Sequence, residues 1–206
     1  MRERPIVYVV DDDANLRRAV IWLLESVGHK VKGFESAEDV LPEIDDDAFG
    51  CLLTDMRMPR RSGLSLLEAV KTRQESFPVI LMTAYGTVKS GVRAMKLGAL
   101  DYIEKPFDEQ QLLDLIDNAI DVSRKNRVEQ ALKRRLVTGT TNLSRREREV
   151  LQGVILGKKN DQIAASLDIS AKTVETYRSR ILVKMGFDSI DNLCLHLKKY
   201  SISLDD

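Results

Sequence analysis

Five separated positions carry side chains that could perform chemistry together. Asp11 and Asp12 follow the apolar run Ile6–Val10, and Asp55 follows Cys51–Thr54. Thr83 follows Val79–Met82, and Lys105, just before Pro106, follows Asp101–Glu104. Acid, acid, hydroxyl and amine at four strand ends, in that order, read as one phospho-acceptor site. Three carboxylates brought close repel one another unless a cation lies among them. Carboxylates, a backbone carbonyl and water are the hard oxygen donors that suit magnesium. Lys105 adds a movable positive charge that can neutralise the oxygens of a phosphoryl group in transfer. Thr83 can donate a hydrogen bond to that group. Asp55 is then the nucleophile of an acyl phosphate, and as a carboxylate it needs no general base at neutral pH. Asp13 falls outside this set, and Asp45-Asp46-Asp47 reads as a solvated loop.

The elements that must position these groups follow from the pattern. Over the first ~120 residues, short apolar runs alternate with amphipathic segments, the signature of parallel βαβ units. Strands are expected at Ile6–Val10, Lys30–Phe34, Cys51–Thr54, Val79–Met82 and Asp101–Glu104. Helices are expected at Ala14–Val27, Ser36–Ile44, Gly63–Thr72 and Val88–Leu97, with another starting at Asp108. Ser36 with Asp39 fits an N-terminal cap. Gly28 and Gly98 fall where helices should stop. In such sheets the functional site lies at the carboxyl ends of the strands, where the five residues fall.

Beyond Asp108 an apolar stripe continues through Leu112, Leu115, Ile116, Ala119 and Ile120, then Val128, Ala131, Leu132 and Leu136. A long helix bridging two domains is one reading; a charged, partly disordered linker from Ser123 to Arg135 is the other. Thr138-Gly139-Thr140-Thr141 reads as the first break. The last ~65 residues read as all helix. Ser144-Arg145-Arg146-Glu147 is a capping box opening a helix that Gly157 ends. A short helix over Asp161–Leu167, the turn Asp168-Ile169-Ser170 and a helix over Ala171–Met185 form a helix-turn-helix. A final helix spans Ser189–Tyr200.

The chain's net charge of zero hides an asymmetry. Residues 1–122 hold 15 Lys or Arg against 22 Asp or Glu, whereas residues 123–206 hold 17 against 10. An acidic half joined to a basic half suggests two domains with different partners, the basic one a nucleic-acid binder; the alternative is that surface charge drifts along the chain. No apolar run approaches the ~20 residues of a membrane helix, and no signal-peptide pattern precedes the first strand. Cys51 and Cys194 read as buried thiols in a reducing, cytoplasmic setting. With two His and two Cys in the chain, a structural zinc site is not expected.

On the helix Ala171–Met185, residues advance 100° each, so Val174, Ile181 and Met185 share a core face with Leu182 at its edge. Lys172, Glu175, Thr176, Ser179 and Val183 lie opposite. Glu175, Thr176 and Ser179 can read base edges. Lys172, Thr173, Arg180 and Lys184 are placed to hold phosphates, which position without specifying. Arg178 is expected near the core, pairing with Glu147 or Glu149. Lys158 and Lys159 read equally as phosphate contacts or solvated charges.

Asp11-Asp12, Asp55 before Met58-Pro59, Thr83-Ala84 and Lys105-Pro106-Phe107 together resemble the receiver domain of two-component response regulators. Leu143–Leu151, Asn160–Ser170 and Ala171–Ile181 are similar to the output domain of the NarL/FixJ (LuxR-type) regulators, with Tyr177 where a histidine is common. The resemblance implies an α/β, flavodoxin-like five-stranded parallel-sheet receiver over residues 1–122. It implies a linker over 123–141 that extends the last receiver helix, and an all-α, four-helix DNA-binding domain over 142–206. By the family pattern Asp12 and Asp55 bind magnesium directly, Asp11 binds it through water, and the Arg57 carbonyl completes the protein's share. Lys105-Pro106 would be a cis peptide. Thr83 and Tyr102 would form a switch that follows phosphorylation, though Tyr102 also reads as a half-buried strand residue. Arg57 and Tyr85 would flank the phosphoryl group. The implied partners are a sensor histidine kinase, double-stranded promoter DNA, RNA polymerase and a second copy of the chain.

Two rival functions remain. A phosphatase of the haloacid dehalogenase class needs Asp-x-Asp at its nucleophile, and Asp55-Met56-Arg57 lacks the second acid. A constitutive DNA-binding protein with a vestigial receiver would not need the five intact site residues.

Overall fold

The computed structural model describes residues 4–84 and 88–204. They form two compact units, residues 1–128 and 129–206 by chain position. In the first unit the order is β1 (Ile6–Val10), α1 (Ala14–Ser26), β2 (Lys30–Phe34), α2 (Ala37–Val40), β3 (Gly50–Asp55), α3 (Gly63–Arg73), β4 (Val79–Thr83), α4 (Val88–Lys96) and β5 (Asp101–Glu104). The next helix, α5, spans Glu109–Thr141 and contributes to both units. The second unit adds α6 (Arg145–Ile155), α7 (Asn160–Leu167), α8 (Ala171–Met185) and α9 (Ile190–Lys199).

All strand pairings in the sheet are parallel, in the order β2-β1-β3-β4-β5. The doubly wound topology follows from strands apolar on both faces. Tyr8, Val10, Leu52 and Leu81 pack with Leu66, Leu67, Val70 and Phe77 on one side. Val7, Val9, Cys51, Leu53, Ile80 and Met82 pack with Val20, Leu24, Leu112 and Ile116 on the other. Each large side chain so buried contributes roughly 1.5–3 kcal/mol of transfer free energy.

Most helix ends follow their caps. Asp13 accepts from the amides of Asn15 and Leu16 at the start of α1, and Ser36 accepts from Asp39 N at the start of α2. The helix expected over Ser36–Ile44 is shorter: α2 stops at Val40, and Pro42 opens a single 3-10 turn, Leu41–Glu43. Proline lacks the amide that would continue an α-helical ladder.

The break expected at Thr138-Gly139-Thr140-Thr141 does not occur, because α5 runs on to Thr141. Gly139 makes no turn and lies against the flexible end of Met185, where a Cβ would lie 2.6 Å from Met185 Sδ. Thr140 and Thr141 satisfy their hydroxyls on the carbonyls of Val137 and Thr138, a bonding mode compatible with a helix. Leu136 is fully buried in the core of the second unit with Val150, Leu151, Val174, Ile181 and Leu193. Among the described residues no helix is long and apolar enough to cross a membrane.

Candidate functional site

Sheet register assembles the acidic site. Val10 pairs with Thr54, so Asp11 and Asp55 leave adjacent strands side by side. Asp55 itself pairs with Met82, and Thr83 pairs with Glu104, which brings Thr83 and Lys105 to the same edge. Asp11, Asp55 and Thr83 are all buried. The Lys105 ammonium donates to Asp11 Oδ2 at 2.7 Å and also to Asp55 Oδ1. The other Asp55 oxygen accepts from the Arg57 amide at 2.6 Å, while Asp11 Oδ1 accepts from Asp13 N at 2.9 Å. Burial alone would lower the Lys105 pKa, but its hydrogen bonds and charge attraction to Asp11 and Asp55 prevail and raise it. Lys105 is therefore a fixed cation between two fixed carboxylates.

The backbone holds this geometry. The Lys105 amide donates to the Thr83 carbonyl at 2.7 Å, and Lys105-Pro106 is cis, as expected. The Arg17 guanidinium, not singled out in the sequence, donates to the Asp11 carbonyl. Gly63, likewise missed, opens α3 directly against the acceptor strand. A Cβ there would stand 2.1 Å from the Asp55 carbonyl oxygen. The sequence signal for it was a glycine directly after a capping Ser62, where capping alone does not require glycine.

Asp12 departs from the expectation of three converging carboxylates. It is exposed, in a bend just after β1, while Asp11 is buried. Among the described residues no three His, Cys, Asp or Glu side chains are gathered tightly enough to hold a metal ion. The donors present nevertheless fit a hard divalent cation: Asp11 and Asp55 are adjacent carboxylates, with Asp12 next in sequence and neither sulfur nor imidazole in the set. Tyr102 is partly exposed at 39%, and its ring covers Gly91 of α4, where a Cβ would come within 2.9 Å of Tyr102 Cε1. Tyr85 lies outside the described residues.

In the second unit, Asp168 ends α7 in the left-handed conformation at φ 55°, and Ser170 caps α8 by accepting from Thr173 N. Val174, Ile181 and Met185 are buried. Lys172, Glu175, Thr176, Ser179 and Arg180 are exposed, and Thr173 is half-buried. The Thr176 and Ser179 hydroxyls bond the carbonyls of Lys172 and Glu175, four residues back. Arg178 does not pair with Glu147 or Glu149; it donates to Asn160 Oδ1 at 2.7 Å. Glu149 instead holds Arg145 and Arg146, and Glu147 holds Lys184 at 2.7 Å. The Glu149 pairs follow from spacing along α6, whereas those of Arg178 and Lys184 depend on which helix ends meet in space.

Two family profiles match the chain: the response regulator receiver domain over residues 7–117, and the luxR family of bacterial regulatory proteins over residues 141–197. The transcriptional regulatory protein FixJ of Bradyrhizobium diazoefficiens is 39% identical over 187 residues, 91% of each chain. The transcriptional regulatory protein TdiR of Thauera aromatica is 40% identical, covering 91% of this chain and 82% of TdiR. Among solved structures, the response regulator StyR superposes with a TM-score of 0.82 at 37% identity, covering 96% of this chain and all of that one. With both modules matched in order along the chain, the protein belongs to the NarL/FixJ-type response regulators, transcription regulators that join a receiver domain to a LuxR-type DNA-binding domain.

Proposed function

We propose that Asp55 accepts a phosphoryl group from a phosphohistidine of a sensor histidine kinase, and that the phosphorylated chain dimerises on promoter DNA. The observation that carries this reading is the Asp55 carboxylate, buried yet fixed through both oxygens by Lys105 and the Arg57 amide. An oxygen of Asp55 attacks phosphorus, the bond from phosphorus to the imidazole nitrogen breaks, and its electron pair returns to the imidazole. An ionised carboxylate makes this attack without surrendering a proton. Lys105 neutralises charge on the transferring oxygens, and Thr83 donates its hydroxyl to the bound phosphoryl group. A magnesium ion held by Asp12, Asp55 and the Arg57 carbonyl, with Asp11 through water, would supply further charge neutralisation. Thr83 and Tyr102 then relay the change to the α4–β5 face.

In the output domain, Glu175, Thr176 and Ser179 read base edges, while Lys172, Thr173 and Arg180 hold phosphates. The dimer would bind an inverted repeat and act on transcription through RNA polymerase in the cytoplasm. Sedimentation of the full chain with magnesium, with and without acetyl phosphate and beside Asp55→Asn, tests the reading. A shift from monomer to dimer that the variant loses is expected. Phosphorylation without a change in mass would overturn dimerisation as the switch, and no phosphorylation of the wild type would overturn the acceptor itself.

A further inference from the structure

Glu147 is a buried carboxylate, 3% exposed, on a domain whose surface is basic. A capping glutamate can do its work in solvent, so burial needs another cause. Its Oε2 atom accepts from the Ser144 amide at 2.7 Å, closing the capping box of α6. The same atom accepts from Lys184 Nζ at 2.7 Å. One oxygen therefore joins the first turn of α6 to the last turn of α8. Charge placement favours the arrangement at both ends. A carboxylate suits the positive end of α6 and an ammonium suits the negative end of α8. A second link lies further up α8, where Arg178 donates to Asn160 Oδ1 at the first residue of α7 at 2.7 Å. Both links leave the exposed face of Lys172, Glu175, Thr176 and Ser179 clear.

The Lys184 side chain is 42% exposed, but a phosphate that drew its ammonium off Glu147 would strand a buried carboxylate, which is strongly unfavourable. We propose that Lys184 is a positioning residue: paired with Glu147, it sets the tilt of α8 for base contact and does not itself bind DNA. The proposal rests on α8 being the helix that enters the groove.

The two roles differ in salt dependence. A phosphate contact contributes about one unit to the slope of log affinity against log salt; a positioning pair contributes none. The test uses the full-length protein and a duplex that the wild type selects from a random-sequence library. Binding is measured across a salt series for Lys184→Gln, Glu147→Gln, the double variant and Lys184→Arg, with thermal melts of each. Lys184→Gln and Glu147→Gln should each weaken binding roughly tenfold. The double variant should be no weaker than the worse single, because the two act as one unit. All slopes should match the wild type, and Lys184→Arg should restore most of the affinity. A slope lowered by about one in Lys184→Gln, with Glu147→Gln unaffected, would overturn the proposal in favour of a phosphate contact. Additive losses would overturn it as well. Should Glu147→Gln melt below the assay temperature, the slope of Lys184→Gln and the rescue by Lys184→Arg still decide. Failure of the wild type to select any duplex would remove the DNA-reading role of α8 itself, and is separately visible.

Discussion

Lys105 holds together two carboxylates that would otherwise face each other inside the sheet edge. Its pKa is raised in the fold, so its contribution to stability is full below the ordinary lysine value of 10.5 and fades as pH rises through the folded value. Replacing it exposes what it compensates. Lys105→Gln should lower the thermal midpoint at pH 8, by the equivalent of about 3 kcal/mol for a broken buried pair. The deficit should narrow as pH rises through the folded Lys105 value and the wild type loses the same charge, and a melt series upward from pH 8 reads both effects. Glu147 behaves oppositely. Burial pushes its pKa up, but Lys184 and the Ser144 amide outweigh that and hold it below the ordinary 4.5. Its stabilisation is present above that value and is lost as pH falls through the folded one. Acid titration of the second unit, followed by helix signal, should lose a component that Glu147→Gln lacks. The convergence of Asp11, Asp55, Thr83 and Lys105 was legible because they end apolar strands in a fixed order. Arg17 and Gly63 were not, because each meets a backbone carbonyl that no side-chain pattern marks; the partners of Arg178 and Lys184 were not, because they lie on other helices.

At the level of elements, two glycines that look alike in sequence behave differently. A side chain at Gly63 would meet the Asp55 carbonyl, a backbone atom that cannot step aside, at 2.1 Å. A side chain at Gly139 would meet the flexible end of Met185. Gly63→Ala should therefore destabilise the receiver by about 2 kcal/mol or more, the scale of overpacking, and slow labelling by acetyl phosphate. Gly139→Ala should be nearly neutral, because Met185 can turn aside and alanine gains up to about 1 kcal/mol of helix propensity. Paired melting curves check both. The strands and most helices were readable from periodicity and caps, since local chemistry decides them. The extent of α5 was not, because Thr138-Gly139-Thr140-Thr141 carries turn residues whose helical state is decided by packing on Met185. The 3-10 turn at Leu41–Glu43 was within reach of the sequence, since Pro42 announces it.

Across the whole molecule, charge divides the labour. The acidic half carries the proposed phosphoryl chemistry and the basic half carries the face proposed to meet DNA, so affinity for a duplex should depend steeply on salt. Lys172→Ala and Arg180→Ala should each lower the salt slope by about one and weaken binding to all sequences alike. Thr176→Val, which leaves charge untouched, should alter sequence preference without changing the slope. Titration of a selected duplex and a scrambled one at several salt concentrations separates these outcomes.

The strand order also bears on how the chain acquires its shape. Strand β1 lies between β2 and β3, and its Ile6 aligns with Gly50 of β3, so that pairing must close a long loop before any of its hydrogen bonds form. The second unit is built of helices joined by short turns. Local contacts form faster than parallel pairings between distant segments. After dilution from denaturant, helix α8 and its neighbours should regain structure before the sheet does. During synthesis the order of emergence is the reverse, so the slower-folding unit leaves the ribosome first and gains a head start on its faster companion.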